Sequence, residues 1–564
     1  MDGLEVTVLL GASVLVGALL APRLRIAVPL LLLVFGLLLG FVPELREVQL
    51  PPETVLLLFL PVMLFWESLT TSLRAIRRDL RGIVLMSTLL VVATAFAVAG
   101  VAHLLGLPWE VALILGAAVA PPDATAVAAL GRTLPRRNFM ALKAESLTND
   151  GTALVIYSVA VGLAVGGQYT PLSISGLVLL SYGGGAVVGI VVAALAVLLL
   201  RRLADALTIN IALLLVPFAA YLLAETIHAS GVLAVVVAGL ITAWTSPRTT
   251  TAASRRQTEA AWPLGTFLLN GSLFVLIGLE VQLVAHEIDA RQIGWLLGVT
   301  VAVWVTTLVV RFAFQMTTVS AIRMLDRRPS QRARRMSNRA RVVSTVAGFR
   351  GAVSLAIALS VPLTMDDGSA LGGRDEIVFV TAGVIVLTLL VQGPLLPLVV
   401  RWARLPEDTS GEEELALAQR AITGAALSAL DDLAAEHGVS DDVRDRIRAD
   451  AYEMLELQNA QRQAREQEAV DREVRALDAA LAEPDPAAAG ERDAEAAAIE
   501  VLTLSPIGRH EEYTRLKLSL LARKREVLFG LRRDGTVDDA VVLRIQARLD
   551  LDELRITGGE VVAE

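Results

Sequence analysis

Long apolar runs separated by short polar segments dominate residues 1–404. Most runs approach the roughly twenty residues that a helix needs to cross a hydrocarbon core of roughly 30 Å. The pattern therefore predicts an all-α polytopic membrane protein with about thirteen transmembrane helices, whose boundaries are good to a few residues. The runs fall near residues 4–21, 26–43, 53–72, 82–105, 109–131, 140–166, 174–200, 208–226, 229–245, 262–285, 293–322, 343–363 and 376–402.

The short loops between these runs alternate in charge. Loops such as residues 74–81, 132–143 and 323–341 are rich in basic side chains, whereas the intervening loops are mainly acidic. Basic short loops stay in the cytoplasm, so we expect a multi-pass cell-membrane protein with its N-terminus outside and its C-terminus inside. A cleaved signal peptide begins with basic residues, whereas the start of this chain carries Asp2 and Glu5. The first run is therefore interpreted as a retained span and not a signal peptide.

From Pro406 the pattern changes to charged, alanine-rich segments. Residues 405–564 carry a net charge of roughly −16, which leaves roughly +8 for residues 1–404. We therefore predict a transmembrane domain over residues 1–404 and an acidic cytosolic helical tail over residues 405–564, either simply solvated or regulatory. Its predicted helices are Glu412–Glu436, Asp441–Glu483, 509–533 and 537–554.

The composition excludes several kinds of chemistry. The chain has no cysteine, so disulfides, thiolate metal sites and cysteine nucleophiles are ruled out. Ionisable groups inside a bilayer are costly and are functional candidates by default, so the search for a site concentrates on the charged residues within the apolar runs.

Asp150 is the strongest of these candidates. It lies ~10 residues, or ~15 Å, into the sixth run, about half the hydrocarbon thickness. Ser146, Asn149 and Asp150 share one helix face, so three oxygen-bearing side chains converge. Hard monovalent cations take oxygen ligands, and a carboxylate binds either a cation or a proton. The alternative is an aspartate in a structural pair.

Asp123 follows two prolines within the fifth run, at Pro121 and Pro122. Prolines there prevent a continuous hydrogen-bonded helix, and irregular backbone at membrane depth is tolerated only in a cavity or within protein. A discontinuous helix with a buried carboxylate is typical of transporters. Asp123 would balance the positive end of the second half-helix, contact the cation directly, or only pack at the kink.

Arg350 lies between two glycines, Gly348 and Gly351, within the twelfth run. The glycines suggest a second interrupted helix, seven runs after the first, as expected for inverted repeats of runs 1–6 and 8–13. Glu145 is the natural buried partner of Arg350, although a direct substrate role for the arginine stays open. Arg311 is expected to reach the cytosolic surface or a partner.

Glu67 lies within two turns of the cytoplasmic end of the third run. It is a candidate cation ligand at the cytosol-facing mouth, with snorkelling of the side chain to the surface as the alternative.

Four separated elements together resemble the cation:proton antiporter-1 family, which includes bacterial NhaP-type sodium/proton antiporters and animal sodium/proton exchangers. They occur in the expected order and span most of residues 1–404. The elements are the ESLTND segment Glu145–Asp150, the Pro122–Asp123 pair, the GFRG segment Gly348–Gly351, and the segment Ala224–Ala234.

The resemblance implies a homodimer in membrane lipid with a core domain and a dimerisation domain. It implies that Asp150 is the exchange carboxylate, with Asn149 beside it, and that Ser146 and Glu67 coordinate the cation. Pro122 would offer a backbone carbonyl. Many relatives have threonine in place of Pro122, so a hydroxyl contribution is lost here.

It further implies that Glu145 pairs with Arg350. Asn before the key aspartate is linked in this family to electroneutral one-for-one exchange, so Asn149 favours that class.

We therefore expect a secondary active transporter and no enzyme, which exchanges sodium or lithium for protons in pH and sodium homeostasis. It should need no cofactor and no nucleic acid. The alternatives are a potassium/proton antiporter of the same fold, a cation channel and an intramembrane aspartyl protease. A channel would show a repeated filter of carbonyls, and a protease would need two aspartates in similar surroundings, which Asp123 and Asp150 lack.

Overall fold

The computed structural model describes residues 3–24, 26–42, 52–124, 127, 134, 136–167, 170–287, 290–325, 337–362, 371–405, 410–452 and 506–557. It divides into two compact units, Met1–Thr409 and Ser410–Glu564. The sequence places the change in composition a few residues earlier, at 404/405. The predicted basic loop at 323–341 and the predicted tail helix beyond residue 452 lie largely outside the described residues.

The described part of the first unit is built from helices. They are α1 (Gly3–Leu24), α2 (Val28–Leu39), α3 (Pro52–Leu69), α4 (Leu73–Val84), α5 (Leu90–Leu104), α6 (Trp109–Val119), α7 (Arg136–Ala164), α8 (Pro171–Leu179), α9 (Gly185–Leu200), α10 (Ala206–Thr226), α11 (Gly231–Thr249), α12 (Ala252–Glu287), α13 (Ala290–Leu325), α14 (Asn338–Val346), α15 (Ala352–Leu359), α16 (Arg374–Leu387) and α17 (Gly393–Ala403).

Three pairs of these helices run into one another through single π-helical turns, at Leu85–Leu89, Leu180–Gly184 and Thr388–Gln392.

Within the described residues, nine helices are long and apolar enough to cross a membrane, and shorter apolar helices cover Val28–Leu39, Leu57–Leu69 and Trp109–Val119. The prediction of an all-α, multi-span membrane fold is confirmed. The count of about thirteen spans stays a prediction, because several helices are interrupted or short.

Both predicted interruptions are present. Helix α6 ends at Val119, and the backbone is not helical from Ala120 to Asp123 before a helical residue returns at Ala124. Helix α14 ends at Val346, and α15 starts at Ala352. Proline breaks the first helix because it has no amide hydrogen to donate and clashes with the preceding turn.

Two apolar clusters organise the membrane unit. One joins α5, α6 and α7 to α13 through α17, and the other joins α3, α9, α10 and α11. Helices α2 and α12 approach each other closely. A Cβ atom on Gly36 would lie 1.9 Å from the carbonyl oxygen of Val275, so only glycine allows this packing.

The second unit contains α18 (Ser410–Glu436), α19 (residues 441–452), α20 (Pro506–Arg533) and α21 (Asp539–Ile556). Its apolar side chains form two small cores, one between α18, α20 and α21 and one between α18, α19 and α20. The helices predicted for 412–436, 509–533 and 537–554 agree with α18, α20 and α21 to within a few residues.

Candidate cation-binding site at two interrupted helices

The two interrupted helices meet through their main chains. The amide of Asp123 donates to the carbonyl of Phe349 over 2.8 Å, which joins the non-helical segment after α6 to the one between α14 and α15. The contact is possible because neither amide nor carbonyl is used within a helix at the breaks. It brings the C-terminal ends of α6 and α14 and the N-terminal end of α15 together inside the protein. We call this contact the crossing.

Arg350 compensates the partial negative charge of the two helix C-termini that meet at this crossing. Its guanidinium donates to the carbonyls of Val119 at 2.8 Å, Ala120 at 3.3 Å and Gly348 at 2.5 Å. These carbonyls lie at the C-terminal ends of α6 and α14, where a helix carries partial negative charge. Arg350 is 2% exposed, so it acts as a buried cap for two helix ends.

Asp123 lies at the crossing beside the N-terminal end of α15, where a helix carries partial positive charge. A Cβ atom on Gly351 would lie 1.6 Å from the Asp123 Oδ2 atom, so the carboxylate rests directly on this glycine. Gly351 is the N-cap of α15, and helix N-termini favour negative charge. The sequence predicted this role toward the second half of the same helix, whereas the structure shows it toward the other interrupted helix.

Helix α7 contributes side chains to the same crossing. Asn149 Nδ2 donates to the carbonyl of Pro122 over 2.8 Å, and Ser146 Oγ accepts from the amide of Ala124 at 3.3 Å. The Asn149 Oδ1 atom is buried and has no hydrogen-bond partner among the described residues. The carbonyl predicted at Pro122 is therefore already bonded to Asn149, and one amide oxygen beside Asp150 stays available.

Asp150 and Glu67 are the buried carboxylates next to this crossing. Asp150 is 4% and Glu67 8% exposed, and both interact electrostatically with Asp123. In the described part of the chain, neither carboxylate takes part in an ion pair or side-chain hydrogen bond. The described residues also contain no group of three or more His, Asp or Glu side chains spaced to hold a metal ion. A cation here would therefore need oxygens of several kinds.

The predicted pairing of Glu145 with Arg350 is wrong. Both carboxylate oxygens of Glu145 accept from Arg311, over 2.6 and 3.0 Å, and Arg311 also donates to the carbonyl of Ser344. Arg350 is occupied by the helix-end carbonyls, and α13 carries Arg311 past α7 instead. Arg311 was expected to reach the cytosolic surface or a partner. It is 2% exposed, so the second alternative holds, and its partner is Glu145.

Sequence reasoning missed Lys143, which it assigned to a loop. Helix α7 begins at Arg136, so Lys143 lies inside the helix, and its Nζ donates to Thr70 Oγ1 over 2.7 Å. Lys143 precedes Ser146 by three residues and Asp150 by seven. That spacing places all three on one helix face and could have identified the lysine.

Thr152 ties α7 to two π-helical turns just beyond Asp150. Its hydroxyl donates to the carbonyl of Ser87 over 2.7 Å and lies 2.5 Å from the hydroxyl of Tyr182. Ser87 and Tyr182 belong to the π turns after α4 and α8. Such turns often occur at functional sites, and here they hold the helix that carries Asp150.

Comparison with known proteins decides the family. The family model for the transmembrane part of sodium/hydrogen exchangers matches residues 11–402. The chain belongs to the sodium/hydrogen exchanger family. The expected resemblance to cation:proton antiporters and the expected secondary transporter are thereby confirmed, and sodium/proton antiport is the activity of this family. The finding also agrees with a location in a membrane.

Relatives in this family match different shares of the chain. An uncharacterised Na+/H+ exchanger of Mycobacterium tuberculosis is 40% identical over 557 residues, which are 98% of this chain and 96% of that protein. A Bacillus pumilus protein named as a sodium, potassium, lithium and rubidium/H+ antiporter is 31% identical over 66% of this chain and 57% of its own. The mycobacterial similarity therefore includes the tail.

A solved structure supports the exchanger fold. The sodium proton antiporter MjNhaP1 from Methanocaldococcus jannaschii superposes with a TM-score of 0.54 at 19% identity, over 71% of this chain and 99% of that one.

Proposed function

We propose that the protein exchanges sodium for protons at Asp150, with Glu67, Ser146 and Asn149 supplying further oxygens. The observation that carries the proposal is the buried carboxylate of Asp150, which has no ion pair within the described residues although a guanidinium neutralises Glu145 on the same helix. A buried carboxylate needs a proton or a cation as its partner. Exchange of these two partners is the chemistry of an antiporter.

In the proposed cycle, Asp150 loses its proton to one side of the membrane and accepts a cation from that side. The α7 helix and the two interrupted helices then move against the rest of the unit, and the cation leaves where a proton competes for the carboxylate. Asp123 and Arg350 do not exchange ions in this scheme. They keep the half-helix ends compensated while the site changes its access.

Proton flux in vesicles tests the proposal directly. The purified full-length protein is reconstituted with a pH-sensitive dye inside, and sodium, lithium and potassium are added in turn. We expect sodium or lithium to drive proton movement without any hydrolysable substrate. A protein that moves sodium without coupled protons would contradict antiport and favour the channel alternative.

Potassium/proton exchange is the second candidate. The Bacillus pumilus relative is named for sodium, potassium, lithium and rubidium, and the proposed oxygen ligands do not by themselves separate sodium from potassium. The same vesicle assay decides between the two. Potassium-driven proton flux that exceeds sodium-driven flux at equal concentration would favour the second candidate.

We further propose that exchange is electroneutral, one cation for one proton. Asn149 replaces a second carboxylate next to Asp150, and Asp123 rests on the α15 N-terminus. In this proposal Glu67 stays ionised throughout the cycle, so Asp150 is the one carboxylate that exchanges its proton. The rate in sealed vesicles should then be insensitive to an imposed membrane potential. A rate that follows the potential would show that a second charge moves.

The proposed setting is the plasma membrane, with the N-terminus outside and the tail in the cytoplasm, where the antiporter serves pH and sodium homeostasis as a homodimer. The alternating loop charges support the orientation. Labelling of single cysteines introduced at Gly166 and Arg201 tests it, because the two positions should react from opposite sides. Crosslinking in intact membranes tests the dimer.

A further inference from the structure

Lys143 places a positive charge beside the carboxylates of the proposed site. Its side chain is half-buried, and its ammonium group donates to the hydroxyl of Thr70 over 2.7 Å. Thr70 follows the end of α3, the helix that carries Glu67, and its hydroxyl also lies 3.2 Å from the carbonyl of Glu67. The hydrogen bond thus holds the lysine of one helix against the carboxylate-bearing end of another.

The charged group that acts on Lys143 is the Glu67 carboxylate. Lys143 interacts with Glu67, which in turn interacts with Asp123 and Asp150. Arg311 and Arg350, the buried arginines near the crossing, are committed to Glu145 and to helix-end carbonyls. The ammonium group of Lys143, by contrast, is bonded to a neutral hydroxyl, so its positive charge acts on Glu67 without being neutralised in an ion pair among the described residues.

We propose that Lys143 sets the affinity of the site, because its ammonium group, anchored on Thr70, competes with the transported cation for the field of the Glu67 carboxylate. This inference rests on the proposed function. Since Lys143 shares a face of α7 with Ser146 and Asp150, a cation that reaches Asp150 from this end passes the lysine. Repulsion between the two cations weakens binding, and the competition requires no proton exchange on Lys143.

Weaker binding has a use in exchange. A cation that binds the carboxylates of Asp150 and Glu67 too tightly would not leave when a proton competes for Asp150, and turnover would fall. A tethered positive charge on Glu67 limits the affinity while leaving the exchange carboxylate unchanged. Removing that charge should therefore tighten cation binding. A substitution that merely damaged the site would weaken cation binding instead.

The test compares sodium dependence of proton flux in vesicles for the full-length protein and its variants. Lys143→Gln and Lys143→Met remove the charge, Lys143→Arg keeps it, and Arg201→Gln removes an exposed charge at the end of α9 as the control. We expect the KM for sodium to fall about fivefold in the two charge-removing variants and to stay within about twofold of wild type in the others.

A second background separates charge competition from a structural tie. In Glu67→Gln protein, Lys143→Met should leave sodium affinity unchanged, measured by sodium-induced thermal stabilisation, which reports binding even when transport is lost. Thr70→Val removes the hydrogen bond and keeps the charge, so its KM should fall less than that of Lys143→Met. Equal losses of Tm in both variants with an unchanged KM would show a structural tie and overturn the proposal.

The two levels of inference fail in different ways. Wild-type protein without cation-dependent proton flux would overturn the proposed function and this inference with it. An active wild type whose KM is unchanged or raised in both charge-removing variants overturns the role of Lys143 alone. A fall in KM that persists in the Glu67→Gln background also overturns it, because the charge would then act elsewhere.

Discussion

Helix α7 carries two buried carboxylates, one with a counter-charge from the protein and one without such a partner among the described residues. Glu145 gives both oxygens to Arg311, whereas Asp150, about 7.5 Å further along the axis at 1.5 Å per residue, has no ion pair among the described residues. Burial is nearly the same for both. The difference lies in whether the protein supplies the counter-charge, and it separates a carboxylate that fixes helices from one that must take its partner from solution.

The comparison extends to the arginines. Arg311 and Arg350 are both 2% exposed, but only Arg311 faces a carboxylate. Arg350 is held by three carbonyl oxygens at the ends of two half-helices. The full negative charge of Glu145 stabilises the buried guanidinium of Arg311. The partial negative charges of two helix C-termini do the same for Arg350.

The largest effect is expected from Asp150→Asn. The amide keeps the shape but neither titrates nor carries a charge, so cation-coupled proton flux in vesicles should fall to the background of empty vesicles. The purified protein should remain folded, with a Tm close to that of wild type, because no partner is orphaned.

The matched control is Asp205→Asn, which retains an N-cap oxygen for α10 and should keep full flux. Cation-dependent flux in Asp150→Asn comparable to wild type would move the exchange group to another carboxylate.

Breaking the Glu145–Arg311 pair should mainly reduce stability. Removal of one partner leaves a buried charge without compensation, which costs roughly 3–5 kcal/mol. Arg311→Ala and Glu145→Ala should each lower the yield and Tm of the detergent-purified protein. The double variant should lose less than the sum of the singles, because their effects are coupled; additive losses would mean that the two residues are not partners.

Arg350→Ala should cost less, about 2–3 kcal/mol, because it leaves carbonyl groups and no ionised side chain without a partner. Combination with Glu145→Ala should give nearly additive losses of Tm, in contrast to the Arg311 cycle. Strong coupling between Glu145 and Arg350 in this cycle would restore the pairing predicted from the sequence.

The smallest effect concerns Glu512, a carboxylate in the tail that is stabilised mainly by hydrogen bonds. The hydroxyl of Ser440 donates to it over 2.7 Å and the Ser440 amide over 3.2 Å, which lowers the pKa of the Glu512 carboxyl. A lowered folded-state pKa gives stability that is present above the ordinary value and lost as pH falls through the folded value.

Hydrogen exchange in the full-length protein should therefore show weaker protection of α20 at acid pH, and Ser440→Ala should reduce that pH dependence. Protection in Ser440→Ala that keeps the wild-type pH dependence would contradict this role.

Local patterns predicted the parts of the site that depend on local chemistry. The Pro121–Pro122 pair and the glycines around Arg350 mark both helix breaks, because those residues act on their own backbone. Helical spacing placed Ser146, Asn149 and Asp150 on one face, and the side chains of Asn149 and Ser146 do reach the backbone of Pro122 and Ala124. These inferences needed no knowledge of how helices pack.

The partners of the charged groups depend on that packing and were not predictable in the same way. Arg311 lies 166 residues from Glu145 in sequence, and nothing in either segment selects it over Arg350. Lys143 was misassigned for a simpler reason: it lies within the apolar run that begins at residue 140, but it was counted with the basic side chains of the preceding loop. The helix begins earlier still, at Arg136, since helix ends are the least certain part of such a prediction.

The contacts between the two interrupted helices are made largely by main-chain atoms. Val119, Ala120 and Gly348 contribute only their carbonyl oxygens to Arg350, and Phe349 contributes its carbonyl to the amide of Asp123. Every amino acid carries that carbonyl, so substitution at these positions changes volume but never removes the acceptor. The acceptors of this contact therefore tolerate substitution at their own positions, while ion preference can change through the few side chains proposed to bind the cation.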